Sequence, residues 1–264
     1  MTIEALFSQL WNDYITLNPS AKQIHDFFVA EGESVVNDHV AFRTFRHPRT
    51  GVDQFAKAFE KLGYVAKEEY TFVEKKLFAK HYEHSNPAMP KVFISELKVN
   101  ELSPFAQKTL SDLIEQIPAG WENREDFCVS GRPWNVSHRD YEELLKESEY
   151  AAWLSAFGFR ANHFTVFINH LKKLSDINTL NSFIESKGYQ LNASGGKVKG
   201  SKEVFLEQSS TKAVSAQVQF SDGKFQIPAC YYEFAKRYEY KPGVLYQGFV
   251  EKSADKIFES TNTR

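Results

Sequence analysis

Asp38-His39-Val40-Ala41-Phe42-Arg43-Thr44-Phe45 and Asn162-His163-Phe164-Thr165-Val166-Phe167-Ile168-Asn169 are two passages of one device. Each sets a histidine at the head of a β-type apolar run. Each is followed by an amphipathic helical pattern that closes on a Gly-Tyr pair, Gly63-Tyr64 in one half and Gly188-Tyr189 in the other. The glycine lies 24 residues after the first histidine and 25 after the second. A duplicated fold with a histidine at the same place in both halves can bring the two imidazoles together at its pseudo-twofold axis, which is one way to build a metal site from a repeat.

Outward from His39, the chain reads as a strand to Phe45, a helix at 52–62 with Phe55, Phe59 and Leu62 on one side, and three further strands at 64–73, 75–82 and 91–99. From His163 the same order returns less sharply: a strand to Asn169, a helix at about 177–187, and strands near Tyr189, at 203–208 and at 213–220. The apolar segment 227–235 is ambiguous, because Tyr231-Tyr232-Glu233-Phe234-Ala235-Lys236-Arg237 reads equally as the start of a helix.

Ahead of the first module, Ile3, Leu6, Phe7, Leu10, Trp11 and Tyr14 recur at helical spacing, and Pro19-Ser20 opens a second helix that Gly32 ends. Between the modules the pattern is helical, with starts at Ser103-Pro104 and at Ser137, which has Asp140 behind it. The expectation is an α+β fold: two βαβββ modules forming a curved mixed sheet around a metal site, with added N-terminal and central helices. Its parts are the N-terminal helices (1–37), the first module (38–102), a helical insert (103–160), the second module (161–250) and a solvated tail (251–264), packed as one functional domain.

The 264 residues are 42% hydrophobic and include 23 Phe, enough for a sizeable core rich in aromatic sheet contacts. Lys and Arg number 32 against 34 Asp and Glu, so no basic field argues for nucleic acid, and a small molecule is the expected partner. No apolar stretch approaches the roughly 20 residues that span a bilayer, and the N-terminal Met-Thr-Ile-Glu-Ala-Leu lacks the basic and apolar regions of a signal peptide. Two cysteines are too few for a disulfide framework. A cytoplasmic protein is the expectation.

On a strand, alternate side chains share a face, so His39, Ala41 and Arg43 point one way, as do His163, Thr165 and Phe167. Arg43 lies about 13 Å along the strand from His39, within reach of a ligand held at the histidine. Its counterpart in the second half is Phe167, so the site is asymmetric. Glu233, at the end of the second module, is the best-placed third ligand. Two imidazoles and a carboxylate form the facial triad of non-haem Fe(II) oxygenases, and zinc or manganese can use the same set.

Plainer roles exist for each residue: a hydrogen-bonded rim position for either histidine, a surface ion pair for Arg43, a partnership with Arg237 for Glu233. Glu96 occupies a place where a duplicated metal fold can supply a fourth ligand, while His81 and His84 point to opposite strand faces and read as loop or rim histidines. His138-Arg139-Asp140 lacks the Asn and glycine-rich loop of a kinase and reads as a helix start. Gly195-Gly196 precedes a strand and is no phosphate cradle. Cys128 and Cys230 read as buried thiols.

The passages 38–45, 161–165, Val92-Phe93-Ile94-Ser95-Glu96-Leu97 and Tyr231-Tyr232-Glu233-Phe234 resemble the 2-oxoadipate dioxygenase/decarboxylase family, which has the vicinal-oxygen-chelate fold. The resemblance runs from about residue 20 to 250 and is carried by the order His-x-x-x-Arg, Asn-His and Glu. It implies Fe(II) bound by His39, His163 and Glu233, and a 2-oxo acid held at that metal with Arg43 binding one of its carboxylates. The implied reaction consumes 2-oxoadipate and O2 and yields 2-hydroxyglutarate and CO2, with a link to lysine degradation. Two other readings stay open: a glyoxalase-like metal-dependent lyase or isomerase using Glu96 as a fourth ligand, and a non-catalytic small-molecule-binding protein of the same fold.

Overall fold

The computed structural model describes residues 1–252. Two helices, α1 (Ile3–Leu17) and α2 (Pro19–Ala30), precede the first module, which consists of β1 (Asn37–Phe45), α3 (Val52–Glu60), β2 (Tyr64–Phe72), β3 (Leu77–His84) and β4 (Lys91–Leu97). Helices α4 (Pro104–Glu115), α5 (His138–Glu147) and α6 (Glu149–Phe157) lead to the second: β5 (Ala161–Phe167), α7 (Ile177–Ser186), β6 (Lys199–Ser201), β7 (Leu206–Ser210), a hairpin of β8 (Ser215–Phe220) and β9 (Gly223–Pro228), and β10 (Glu233–Arg237). Two short strands, β11 (Glu239–Lys241) and β12 (Val244–Leu245), follow.

Eight strands form one sheet in the order β2-β3-β4-β1-β5-β10-β7-β6. Outward from its centre the two halves repeat: β1 pairs with β4 in parallel and β5 with β10 in parallel, while β1 and β5 meet antiparallel. That is a two-βαβββ sheet with a pseudo-twofold axis between β1 and β5. In both modules the helix hands over to the next segment through a glycine in the left-handed region, Gly63 at φ 93° and Gly188 at φ 89°, a conformation that costs a residue with a Cβ.

Helices cover one face of the sheet. Phe42 of β1 packs on Phe55 and Phe59 of α3, Phe164 of β5 on Trp11 and Tyr14 of α1, and Phe234 of β10 on Phe28 of α2. The opposite, concave face carries the odd-numbered side chains of these strands and is closed at one end by the inserted helices, with Trp134 against Phe45. Burial on both faces explains why β1 is apolar without clean alternation. No helix among the described residues is long and apolar enough to cross a membrane.

The second module departs from its expected strands. No strand forms at Tyr189, where Leu191 makes only an isolated bridge to Thr211. Residues 202–204 are a 3₁₀ turn, and the strand expected at 213–220 pairs with 223–228 as a hairpin outside the main sheet. The ambiguous segment resolves as β10, held between β5 and β7. At the helix starts, Asn18 rather than Pro19-Ser20 caps α2, with Pro19 in the first turn, and Ser137 and Asp140 bond reciprocally as read. Of the expected tail, 253–264 lie outside the described residues, and Glu251 accepts a hydrogen bond from the Thr71 amide at 2.9 Å.

Candidate metal centre

Sheet register sets the site. His39 of β1 stands opposite Thr165 of β5, which stands opposite Glu233 of β10, so the three lie in one row across the concave face. His163, two residues before Thr165 on β5, stands opposite Ala41 and shares that face. One potential ligand atom from each of His39, His163 and Glu233 lies within 4.8 Å of the other two, the only such cluster among the described residues. All three are buried, at 3, 4 and 0% exposure.

Each histidine is oriented by the residue before it. His39 donates from Nδ1 to Asp38 at 2.7 Å, and His163 from Nδ1 to the Asn162 side-chain oxygen at 3.0 Å. Both Nε2 lone pairs are thereby turned toward Glu233, His163 at 3.1 Å and His39 at 3.7 Å. The Thr165 hydroxyl also approaches His39 Nε2, at 3.1 Å. Asp38 is in turn gripped by Arg237 through both carboxylate oxygens, at 2.5 and 2.8 Å. Burial opposes its ionisation, yet Arg237 and Lys91 hold the carboxyl well below the usual carboxylate range.

Glu233 Oε1 accepts a 2.6 Å hydrogen bond from Gln208, but Oε2 has no hydrogen-bond partner among the described residues. Burial pushes its carboxyl up to about 8. Burial also lowers both imidazoles, His163 furthest because the charges at His39 and Arg43 add to it. Two neutral imidazole lone pairs and a carboxylate oxygen without a hydrogen-bond donor among the described residues therefore converge in a buried site. Acceptor atoms 3.1 Å apart repel unless a positive species lies between them, either a proton on Glu233 or a metal ion. The donor set fits a divalent cation that takes N and O ligands.

Around this cluster, Tyr231 stacks on the His163 ring at 4.6 Å, and its hydroxyl makes no hydrogen bond among the described residues. Phe249, from the C-terminal segment, meets the His39 ring edge-on at 4.8 Å. Arg43 lies on the same face, but its guanidinium is held by the first turn of α6. Nη1 donates to Glu149 at 2.8 Å, with the Tyr150 and Trp153 rings at 4.9 and 5.1 Å.

The other sequence candidates are elsewhere. Glu96 sits on the helix-covered face, where it pairs with Arg46 at 2.6 Å and caps α3 at the Val52 amide at 2.8 Å. The position on β4 that matches Glu233 on β10 is Phe93, opposite Ala41 as Glu233 is opposite Thr165. His81 is a buried concave-face residue rather than a rim histidine, bonded to Tyr70 at 2.8 Å and covered by Phe249. His84 accepts from the Asn86 amide at a strand end, and both cysteines are free and buried. Gln208, Asp38 and Asn162 went unassigned in the sequence, although the polar residue before each histidine was a visible signal.

A sequence profile of the 2-oxoadipate dioxygenase/decarboxylase family matches residues 10–119 and 128–241. A rice protein named 2-oxoadipate dioxygenase/decarboxylase, chloroplastic/amyloplastic, is 36% identical over 97% of this chain and 78% of its own length. Among solved structures, a Shewanella frigidimarina protein described as a hydrolase is 50% identical, with a TM-score of 0.90 over 94% of this chain and 97% of that one. The rice hydroxyglutarate synthase in complex with 2-oxoadipate is 35% identical, with a TM-score of 0.91 over 98% of this chain and 91% of that one. A glyoxalase-superfamily protein from Ralstonia eutropha, 23% identical with a TM-score of 0.74 over 93% of this chain and 84% of that one, shares the fold.

Proposed function

The chain belongs to the 2-oxoadipate dioxygenase/decarboxylase family, and on that premise we propose that it holds Fe(II) through His39, His163 and Glu233 and converts 2-oxoadipate and O2 to 2-hydroxyglutarate and CO2. The observation that carries the metal assignment is the buried convergence of two imidazole lone pairs with an orphaned carboxylate oxygen. When bound, a ferrous ion supplies Lewis acidity toward the 2-oxo and C1 carboxylate oxygens of the substrate and electrons for O2 reduction.

The chain's own residues do the rest. Asp38 and Asn162 fix the tautomers of the two ligand histidines, and the Arg237 grip on Asp38 keeps that carboxylate ionised in a buried site. Gln208 locks one oxygen of Glu233, leaving the other to face the metal position. Arg43 neutralises a substrate carboxylate, and its placement on the ligand face of β1 supports that role. Tyr231 and Phe249 wall the ligands with aromatic surface, which excludes water from a reaction that would otherwise lose its oxidant to solvent.

Phe93, standing where a second carboxylate ligand would have to sit, argues against the four-ligand lyase reading. The test is O2 consumption by anaerobically Fe(II)-reconstituted protein given 2-oxoadipate, with products identified by mass spectrometry. Uptake matched by CO2 and 2-hydroxyglutarate is the expected result; bound iron with no uptake rules the reaction out.

A further inference from the structure

Arg43 is 1% exposed and already carries a carboxylate. Its partner, Glu149, is the first residue of α6 and keeps 19% of its side chain exposed. Glu149 and Tyr150 form part of the wall of a cavity of about 340 Å³ that also carries Lys75, Lys76 and Lys146 beside Glu74 and Glu147. On the inner side, Arg43 lies on the concave face of β1 two residues along from Ala41, the residue opposite His163. The order from solvent inward is therefore a cavity of mixed charge, the Glu149 carboxylate, the Arg43 guanidinium and the metal ligands.

We propose that Glu149 is a stand-in for substrate: its carboxylate occupies Arg43 in the resting protein and is displaced into the cavity by one carboxylate of an incoming dicarboxylic 2-oxo acid. This deepens the proposed function and rests on its reading of Arg43. Charge balance drives the exchange. A divalent ion with one carboxylate ligand leaves one net positive charge, which the chelating carboxylate of the substrate cancels. The distal carboxylate then adds a buried negative charge that only a freed Arg43 can match, and an unmatched buried charge is strongly unfavourable. The displaced Glu149 carboxylate turns into the cavity toward Lys75, while Lys76 and Lys146 stay bonded to Glu147 and Glu143, at 3.2 and 2.5 Å. A monocarboxylic 2-oxo acid has nothing to exchange and leaves the Arg43–Glu149 pair intact, so Arg43 makes the site select dicarboxylates and Glu149 lowers affinity for dicarboxylates alone.

The test is anaerobic calorimetry on the Fe(II)-loaded protein with 2-oxoadipate and with 2-oxohexanoate, which has the same carbon chain without the distal carboxylate. Wild type should prefer 2-oxoadipate. Glu149→Gln should tighten 2-oxoadipate about tenfold, roughly 1.4 kcal/mol, and leave 2-oxohexanoate unchanged; Glu149→Ala should do the same, because loss of the charge is what matters. Weaker or unchanged 2-oxoadipate binding in both variants would mean that Glu149 only holds Arg43 in place, and would overturn the exchange alone. Equal wild-type affinity for the two acids overturns it without any variant. A wild-type protein that binds no 2-oxoadipate overturns the substrate reading, and the exchange with it.

Discussion

In the first module the residue that β4 sets opposite Ala41 is Phe93; in the second, β10 sets Glu233 opposite Thr165. The same register thus carries a phenyl ring on one side of the pseudo-twofold axis and a metal-competent carboxylate on the other. The asymmetry continues outward. His39 is oriented by an ionised Asp38 clamped to Arg237, His163 by a neutral Asn162. Four residues past each histidine stand Arg43 and Phe167. Duplication fixed where the backbone puts side chains, and divergence then divided the labour: the second module supplies two of the three candidate ligands and Arg237, while the first supplies one candidate ligand and Arg43.

The sharpest way to break this comparison is to remove each half's residue at the shared position. Glu233→Ala should abolish iron retention, a loss larger than the 10–100-fold that removing an outer partner typically costs, whereas Phe93→Ala should keep one iron per chain. Metal analysis after gel filtration reads both, and iron retained by Glu233→Ala would sink the ligand set.

Next in size is the contrast between the two orienting residues. Asp38→Ala leaves Arg237 buried without its partner and should cost about 3–5 kcal/mol of stability. Asn162→Ala strands one buried imidazole N–H and should cost about 1–3 kcal/mol. Denaturant unfolding of the metal-free variants measures the gap, and equal losses would mean that the charged clamp adds nothing over the neutral one.

How much of this was legible in the sequence follows the same division. The histidine pair could be read because each histidine heads a long apolar strand, and Arg43 because strand alternation alone places it on the ligand face. The carboxylate's strand could not be read: β10 has five residues, follows a hairpin, and starts inside a Tyr-Tyr-Glu-Phe run that suits a helix equally. What makes it a strand is pairing on both sides, to Thr165 and to Ser210, which is a tertiary fact. Glu96 misled because it is the acidic residue nearest the expected place in β4, yet it is three positions from Phe93 and so on the other face. Glu149 and Trp153 gave no signal at all, since they reach Arg43 across more than 100 residues of chain.

The third contrast sets Arg43 against Phe167. Arg43→Ala should cost about 2 kcal/mol of substrate binding or more, roughly thirtyfold in KM, with iron content unchanged. Phe167→Ala should leave KM within a few fold. Steady-state O2 uptake against 2-oxoadipate concentration decides it, and an unchanged KM in Arg43→Ala would remove the clamp from the mechanism.

The mildest effect separates the ligands by protonation. In the metal-free protein burial raises the Glu233 carboxyl to about 8, and it keeps both imidazoles below their ordinary range, so at pH 7 the carboxyl carries a proton and the histidines do not. Metal binding at pH 7 should therefore release about one proton, and that proton comes from the second module's carboxylate. Calorimetry in two buffers of different ionisation enthalpy measures the number. Apparent metal affinity should rise with pH up to about 8, by no more than about tenfold per unit, and level off above it. Stability runs the other way. Because the folded-state value of Glu233 exceeds its unfolded value, its contribution is fully present below the unfolded value and is lost as pH rises toward 8. Between about pH 7.5 and 8 the histidines, neutral in both the folded and the unfolded chain, and the ionised Asp38 are silent, so metal-free protein should lose stability across that window and the metal-bound form should not. Release of two or more protons would show that a histidine is also charged before metal arrives, and the two halves of the site would then titrate alike.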